Sequence, residues 1–132
     1  MPATAQALAD LTEISTQVES AVVFDREGTV VGATVDDERA GRLAGTALEL
    51  VRAAEESRPE GAEALVQLDV ALRDGSVFVA ADGDRLIAAT TAPDPTVGLV
   101  FYDLKHCLRS IETATPADGT RRRTRKKAGD AA

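Results

Sequence analysis

Residues 66–91 read VQLDVALRDGSVFVAADGDRLIAATT, and the fold turns on this segment. Val66, Leu68, Val70 and Leu72 alternate with Gln67, Asp69, Ala71 and Arg73, the period of two that marks a strand with one face more apolar than the other. Asp74-Gly75 is a hairpin signal, because glycine takes the positive φ of a tight turn at no steric cost. Ser76–Ala81 supplies the next strand, Asp82-Gly83-Asp84 a second turn, and Arg85–Thr91 a third strand. The segment therefore predicts a three-stranded antiparallel meander.

Upstream the period changes. Ala40, Leu43, Ala44, Ala47, Leu48, Val51 and Ala54 share one face of a long helix, opened by Asp36-Asp37-Glu38 at its positive end. Arg58-Pro59-Glu60-Gly61 ends it. Before the helix, Ala21–Phe24 and Thr29–Val31 flank Asp25-Arg26-Glu27-Gly28, which predicts a hairpin. Before that, Ala7, Leu8, Leu11, Ile14 and Val18 at spacings of three and four predict a first helix, with Thr4 available as its cap. Downstream, Pro93-Asp94-Pro95 breaks the sheet and suits a helix start at Pro95. Val97, Val100, Phe101, Leu104, Leu108 and Ile111 then form the buried stripe of a last helix. The order is helix, hairpin, long helix, meander, helix.

At 132 residues the chain is one domain in size, and only 3% of its residues are aromatic, so the core is expected from Val, Leu, Ile and Ala. Charge divides it. Residues 1–113 carry 9 basic and 20 acidic side chains, whereas residues 114–132 carry 6 and 2, with Arg121–Lys127 at the centre. We therefore expect a folded acidic domain over 1–113 and a disordered basic tail over 114–132. The acidic body repels phosphate, so no nucleic acid is expected on the domain itself. Weak contact of the tail with an anionic membrane or nucleic acid is the complementary expectation. A lone Cys107, no leader and no run of 18 apolar residues together predict a soluble cytoplasmic protein.

Catalytic chemistry has little to stand on. His106 and Cys107 are the single residues of their kinds, and neighbours on a helix point about 100° apart. Cys107 is read as core and His106 as exposed. Asp36-Asp37-Glu38 reads as helix capping and Asp82/Asp84 as turn chemistry, since neither has calcium-loop spacing. Gly28 and Gly32 flank a strand and do not form a phosphate loop. The expectation is a non-enzyme with no cofactor and no metal. One feature points to association instead: Gly41 and Gly45 lie one turn apart in the long helix beside Ala44 and Leu48, and each mid-helix glycine costs ~1 kcal/mol relative to alanine. Close packing on its own sheet and a helix-to-helix contact both account for them. The strand Ala64–Arg73 is expected at a sheet edge, where backbone groups invite pairing.

This order of elements resembles the roadblock/dynein light chain family. The hairpin Ala21–Val31, the strands Val77-Phe78-Val79-Ala80 and Leu86–Thr90, and Thr96–Val100 at the last helix look like its corresponding segments, so the likeness spans about residues 4–113. The resemblance implies an α-β-β-α-β-β-β-α fold, with the long helix on one face of a five-stranded antiparallel sheet and the terminal helices on the other. It also implies a homodimer formed through the third strands and long helices. That pairing maps to Gly41, Ala44, Gly45 and Leu48 and to Leu65, Gln67, Asp69 and Ala71. Bacterial members are associated with small Ras-like GTPases as regulators or scaffolds, which gives the expected partner. A profilin-like or PAS-like ligand-sensing or general protein-interaction module is the alternative, and the scarcity of aromatics counts against its pocket.

Overall fold

The computed structural model describes residues 3–57 and 67–114. Helix α1 (Ala3–Ile14) leads to strands β1 (Val18–Asp25) and β2 (Val30–Ala33), then helix α2 (Asp37–Glu56). Strands β3 (Gln67–Leu72), β4 (Gly75–Asp82) and β5 (Arg85–Thr91) precede helix α3 (Val97–Ala114). All pairings are antiparallel, in the order β2-β1-β5-β4-β3. The meander thus joins the first hairpin through β1 and β5, and β3 lies at one edge.

Side-chain alternation divides the core into two layers. Ala21, Val23, Phe78, Ala80, Ile87 and Ala89 face α1 and α3, where Leu8, Leu11, Phe101, Leu104 and Ile111 meet them. Val22, Phe24, Val79, Leu86 and Ala88 face α2, which answers with Ala40, Ala44, Ala47, Leu48 and Val51. The central strands β1, β4 and β5 are apolar on both faces because both faces are covered. The α-β-β-α-β-β-β-α architecture expected from sequence is the one present.

Local chemistry explains the joints. Asp25 Oδ1 accepts from the backbone N–H groups of Glu27 and Thr29 at 2.9 Å each, and Gly28 closes the turn at φ 91°. Asp36 is the N-cap of α2 and accepts from the Arg39 N–H at 2.9 Å, satisfying a donor that has no helical partner. Arg26 ties three elements together: it pairs with Glu55 of α2 at 3.0 Å and donates to the Gly83 carbonyl between β4 and β5.

Several local expectations need correction. Thr4 is not a cap; it lies inside α1 and is buried. The α1 stripe ends sooner than its periodicity suggested, since Ile14 is 61% exposed and Val18 opens β1. The β3–β4 turn is Arg73-Asp74, because Leu72 pairs with Gly75. Gly75 is needed for a different reason: a Cβ there would strike the Thr91 carbonyl oxygen of the neighbouring strand. Helix α3 starts at Val97, not Pro95; Asp94 takes φ 61°, and the Thr96 N–H donates to Gln17 Oε1 at 2.6 Å. Val97 is consequently exposed. The terminator Arg58–Gly61 and the predicted tail beyond Ala114 lie outside the described residues.

Candidate functional site

The residues singled out for pairing separate into three groups. Gly41 and Gly45 lie on the outward face of α2, and among the described residues a Cβ built on either meets nothing within 4 Å. Packing among the described residues therefore does not explain these two glycines. Ala44 and Leu48 point the other way, into the layer between α2 and the sheet, with 0% and 7% exposure. They hold α2 on its own sheet and present no side chain to a partner helix. Gln67, Asp69 and Ala71 are exposed on β3. Leu65 lies outside the described residues.

The pleat divides the strand's side chains between two faces. Gln67, Asp69 and Ala71 pair with Ala80, Phe78 and Ser76 and so project on the α1/α3 side. Leu68 and Val70 pair with Val79 and Val77 and project, with Leu72, on the side of α2. The apolar alternation carries this division: Leu68, Val70 and Leu72 are the apolar half of the strand, and Gln67, Asp69 and Ala71 the other half.

Helix α2 packs chiefly over β1, β2 and β5, which leaves the β4–β3 half of this face less covered. Leu72 is 60% exposed there, and Leu68, Val70 and Val77 are half-buried. Two hollows continue the surface. One, of about 320 Å³, lies between Arg39, Arg42, Leu43 and Thr46 of α2 and Ser20 and Thr90 of the sheet. The other, of about 290 Å³, runs from Thr90 to Val77 and Leu72. They share Thr90, whose hydroxyl is 2.6 Å from that of Ser20. The result is a shelf beside α2, rimmed by the edge strand β3 and by Arg39, Leu43 and Thr46 of the helix.

Charge on this face is modest. Glu38 and Arg42 pair at 3.1 Å across one turn, both mostly exposed, an arrangement that contributes at most ~0.5 kcal/mol. Reactive chemistry is sparse. Among the described residues, no group of three or more His, Cys, Asp or Glu side chains is placed to hold a metal ion. Cys107 is buried in the α1/α3 layer; burial, and after it the Asp10 carboxylate, push its thiol up from 9.0 to about 11. That is opposite to what a nucleophilic cysteine needs.

The Roadblock/LC7 domain family matches residues 4–92, more than half of the chain. The chain belongs to the Roadblock/LC7 family. Solved structures agree on the fold. A Roadblock/LC7 domain from Streptomyces avermitilis superposes with a TM-score of 0.75 at 17% identity, covering 83% of this chain and 94% of that one. MglB of Myxococcus xanthus gives 0.72 at 13% identity, covering 85% and 86%. The gliding protein MglB of Thermus thermophilus gives 0.70 at 14% identity, covering 84% and 87%. At these identities the likeness is one of fold. No curated protein matches by sequence. Helix α3 of this Roadblock/LC7 chain falls beyond the matched segment and completes the α1/α3 layer. No helix among the described residues is long and apolar enough to cross a membrane.

Proposed function

We propose that this Roadblock/LC7 chain is a non-enzymatic regulator or scaffold that pairs with itself and engages a small Ras-like GTPase. The observation that carries the reading is the shelf, an edge strand that pairs with a single strand among the described residues and has apolar side chains beside it; the two α2 glycines, which meet nothing within 4 Å among the described residues, add to it. Two copies related by a two-fold axis would pair their β3 edges into one continuous sheet and bring their α2 helices together at Gly41 and Gly45. Backbone hydrogen bonds would then be satisfied along β3, and Leu68, Val70 and Leu72 would leave water. Exposed Gln67, Asp69 and Ala71 would line the opposite face of the same junction. The GTPase reading rests on membership of the family and on fold likeness to MglB, together with the scarcity of catalytic groups in the described residues.

Light scattering of the wild type and of Gly45→Leu tests the pairing. The leucine has room in the single chain, so the variant should fold and remain a monomer while the wild type is a dimer. A monomeric wild type would overturn the pairing. Titration with small Ras-like GTPases from the same organism, each loaded in turn with GDP and a GTP analogue, tests the partner. Saturable binding in one nucleotide state is expected, and no binding in either would overturn the GTPase assignment.

A further inference from the structure

Between α1 and α3, away from the shelf, a groove of about 150 Å³ is lined by Ala7, Asp10, Glu13 and Ile14 on one side and by Asp103 and His106 on the other. A groove of that size has room for the end of one long side chain with an apolar stem. Asp103 distinguishes the groove. Its exposure is only 8%, it lines the cavity, and among the described residues no group donates a hydrogen bond to its carboxylate and no cation pairs with it. A carboxylate this deep requires a donor. Asp10 and Glu13, both exposed, add two negative charges at the rim; the Asp10 carboxylate accepts from Gln6 Nε2 at 2.9 Å. No basic residue of α1 answers them, because the helix has none. Lys105 and Arg109 of α3 line a different hollow, beside Ala81 and Asp82.

The sequence holds a matching occupant at the right distance. Helix α3 forms one wall of the groove and ends at Ala114, about 16 Å beyond Asp103 at 1.5 Å per residue. Arg121 follows seven residues later, a stretch that spans up to ~24 Å when extended. The first arginines of the basic run can therefore fold back to the groove. We propose that this groove binds the chain's own Arg121–Lys127 segment, with one arginine donating to the Asp103 carboxylate and its neighbours facing Asp10 and Glu13. A planar guanidinium can donate to one carboxylate in a narrow slot while its methylenes lie on Ala7 and Ile14. Held there, the basic run is withheld from anionic surfaces, and a stronger anionic partner must displace it.

Limited trypsin digestion of the full chain reads the state of the tail through the initial rate of cleavage within 121–127. Asp103→Asn, close in shape to the original, should raise that rate on the order of tenfold at low salt, the effect of losing one charge-assisted hydrogen bond. Wild type in ~0.5 M salt should be cleaved faster as well, because an ionic contact open to water is screened. Should Asp103→Asn fail to fold, the exposed pair Asp10→Asn with Glu13→Gln carries the same test. Equal rates for wild type and the groove variants would overturn the proposal. So would an equal acceleration by Glu49→Gln, which removes one charge on the far face of α2 and would reveal only diffuse attraction to an acidic body. Protection that increases with protein concentration would place the tail on a second copy and overturn docking within one chain.

Discussion

Glycines in this chain have opposite meanings, and only their surroundings distinguish them. Gly75 lies against the Thr91 carbonyl, where a methyl group has no space, whereas Gly41 faces open solvent on α2. Gly75→Ala should destabilise by about 2 kcal/mol or more, and Gly41→Ala should stabilise the single chain by ~1 kcal/mol. Urea unfolding of both variants, at concentrations low enough to keep the chain monomeric, checks the two signs. Cys107 makes a second residue-level prediction. Its folded pKa is raised from 9.0 to about 11, so between these values the unfolded chain has lost the proton and the folded chain has kept it. Stability is unaffected by this group below pH 9 and falls as pH rises from 9 toward 11, by on the order of 2 kcal/mol at pH 10.5. Urea unfolding of wild type against Cys107→Ala at pH 7.5 and 10.5 should show the difference between the two shifting against the wild type by on the order of 2 kcal/mol at the higher pH, on top of a pH-independent cost of the lost core packing. Cys107 was legible as a core residue from the stripe it shares with Leu104 and Leu108; Asp103 was not, because the helical period does not say that α1 covers the next residue over.

Among the elements, α2 was the most legible, since its acidic start, apolar period and glycine pair are all local features. Its N-cap gives a direct test: Asp36→Ala removes the acceptor for the Arg39 N–H and should cost ~1 kcal/mol, read as a lower urea midpoint. Strand β3 was legible as a strand and as an edge, and the structure adds that Gln67, Asp69 and Ala71 lie on its α1/α3 side and Leu68, Val70 and Leu72 on its α2 side. Alternation reveals which residues are apolar, but not which face of the edge strand a helix leaves uncovered. Leu72 is 60% exposed on the α2 side, so Leu72→Lys should leave the fold of one chain intact and weaken self-association by opposing two like charges across the two-fold. An unchanged dimer mass at micromolar concentration would remove Leu72 from the interface. The α1 and α3 boundaries shifted for a local reason as well: Asp94 takes a left-handed conformation, and Gln17, far away in sequence, holds the Thr96 N–H.

At the scale of the molecule, pairing and stability are linked. If two chains share one sheet, the wild-type urea midpoint should rise with protein concentration, whereas that of Gly45→Leu should not. A concentration-independent wild-type midpoint would show that the shelf is not closed by a second copy. The sequence alone determined the order of elements, the apolar alternation of β3 and the division of charge between residues 1–113 and 114–132, because period, turn chemistry and composition are properties of consecutive residues. Only the tertiary structure decided that Gly41 and Gly45 meet nothing among the described residues, that α2 leaves the β4–β3 half of the sheet less covered, and that Asp103 lies buried at the α1/α3 groove with no donor among the described residues. Those outcomes depend on how elements far apart in the chain settle on one another, and no local pattern of residues encodes that registry.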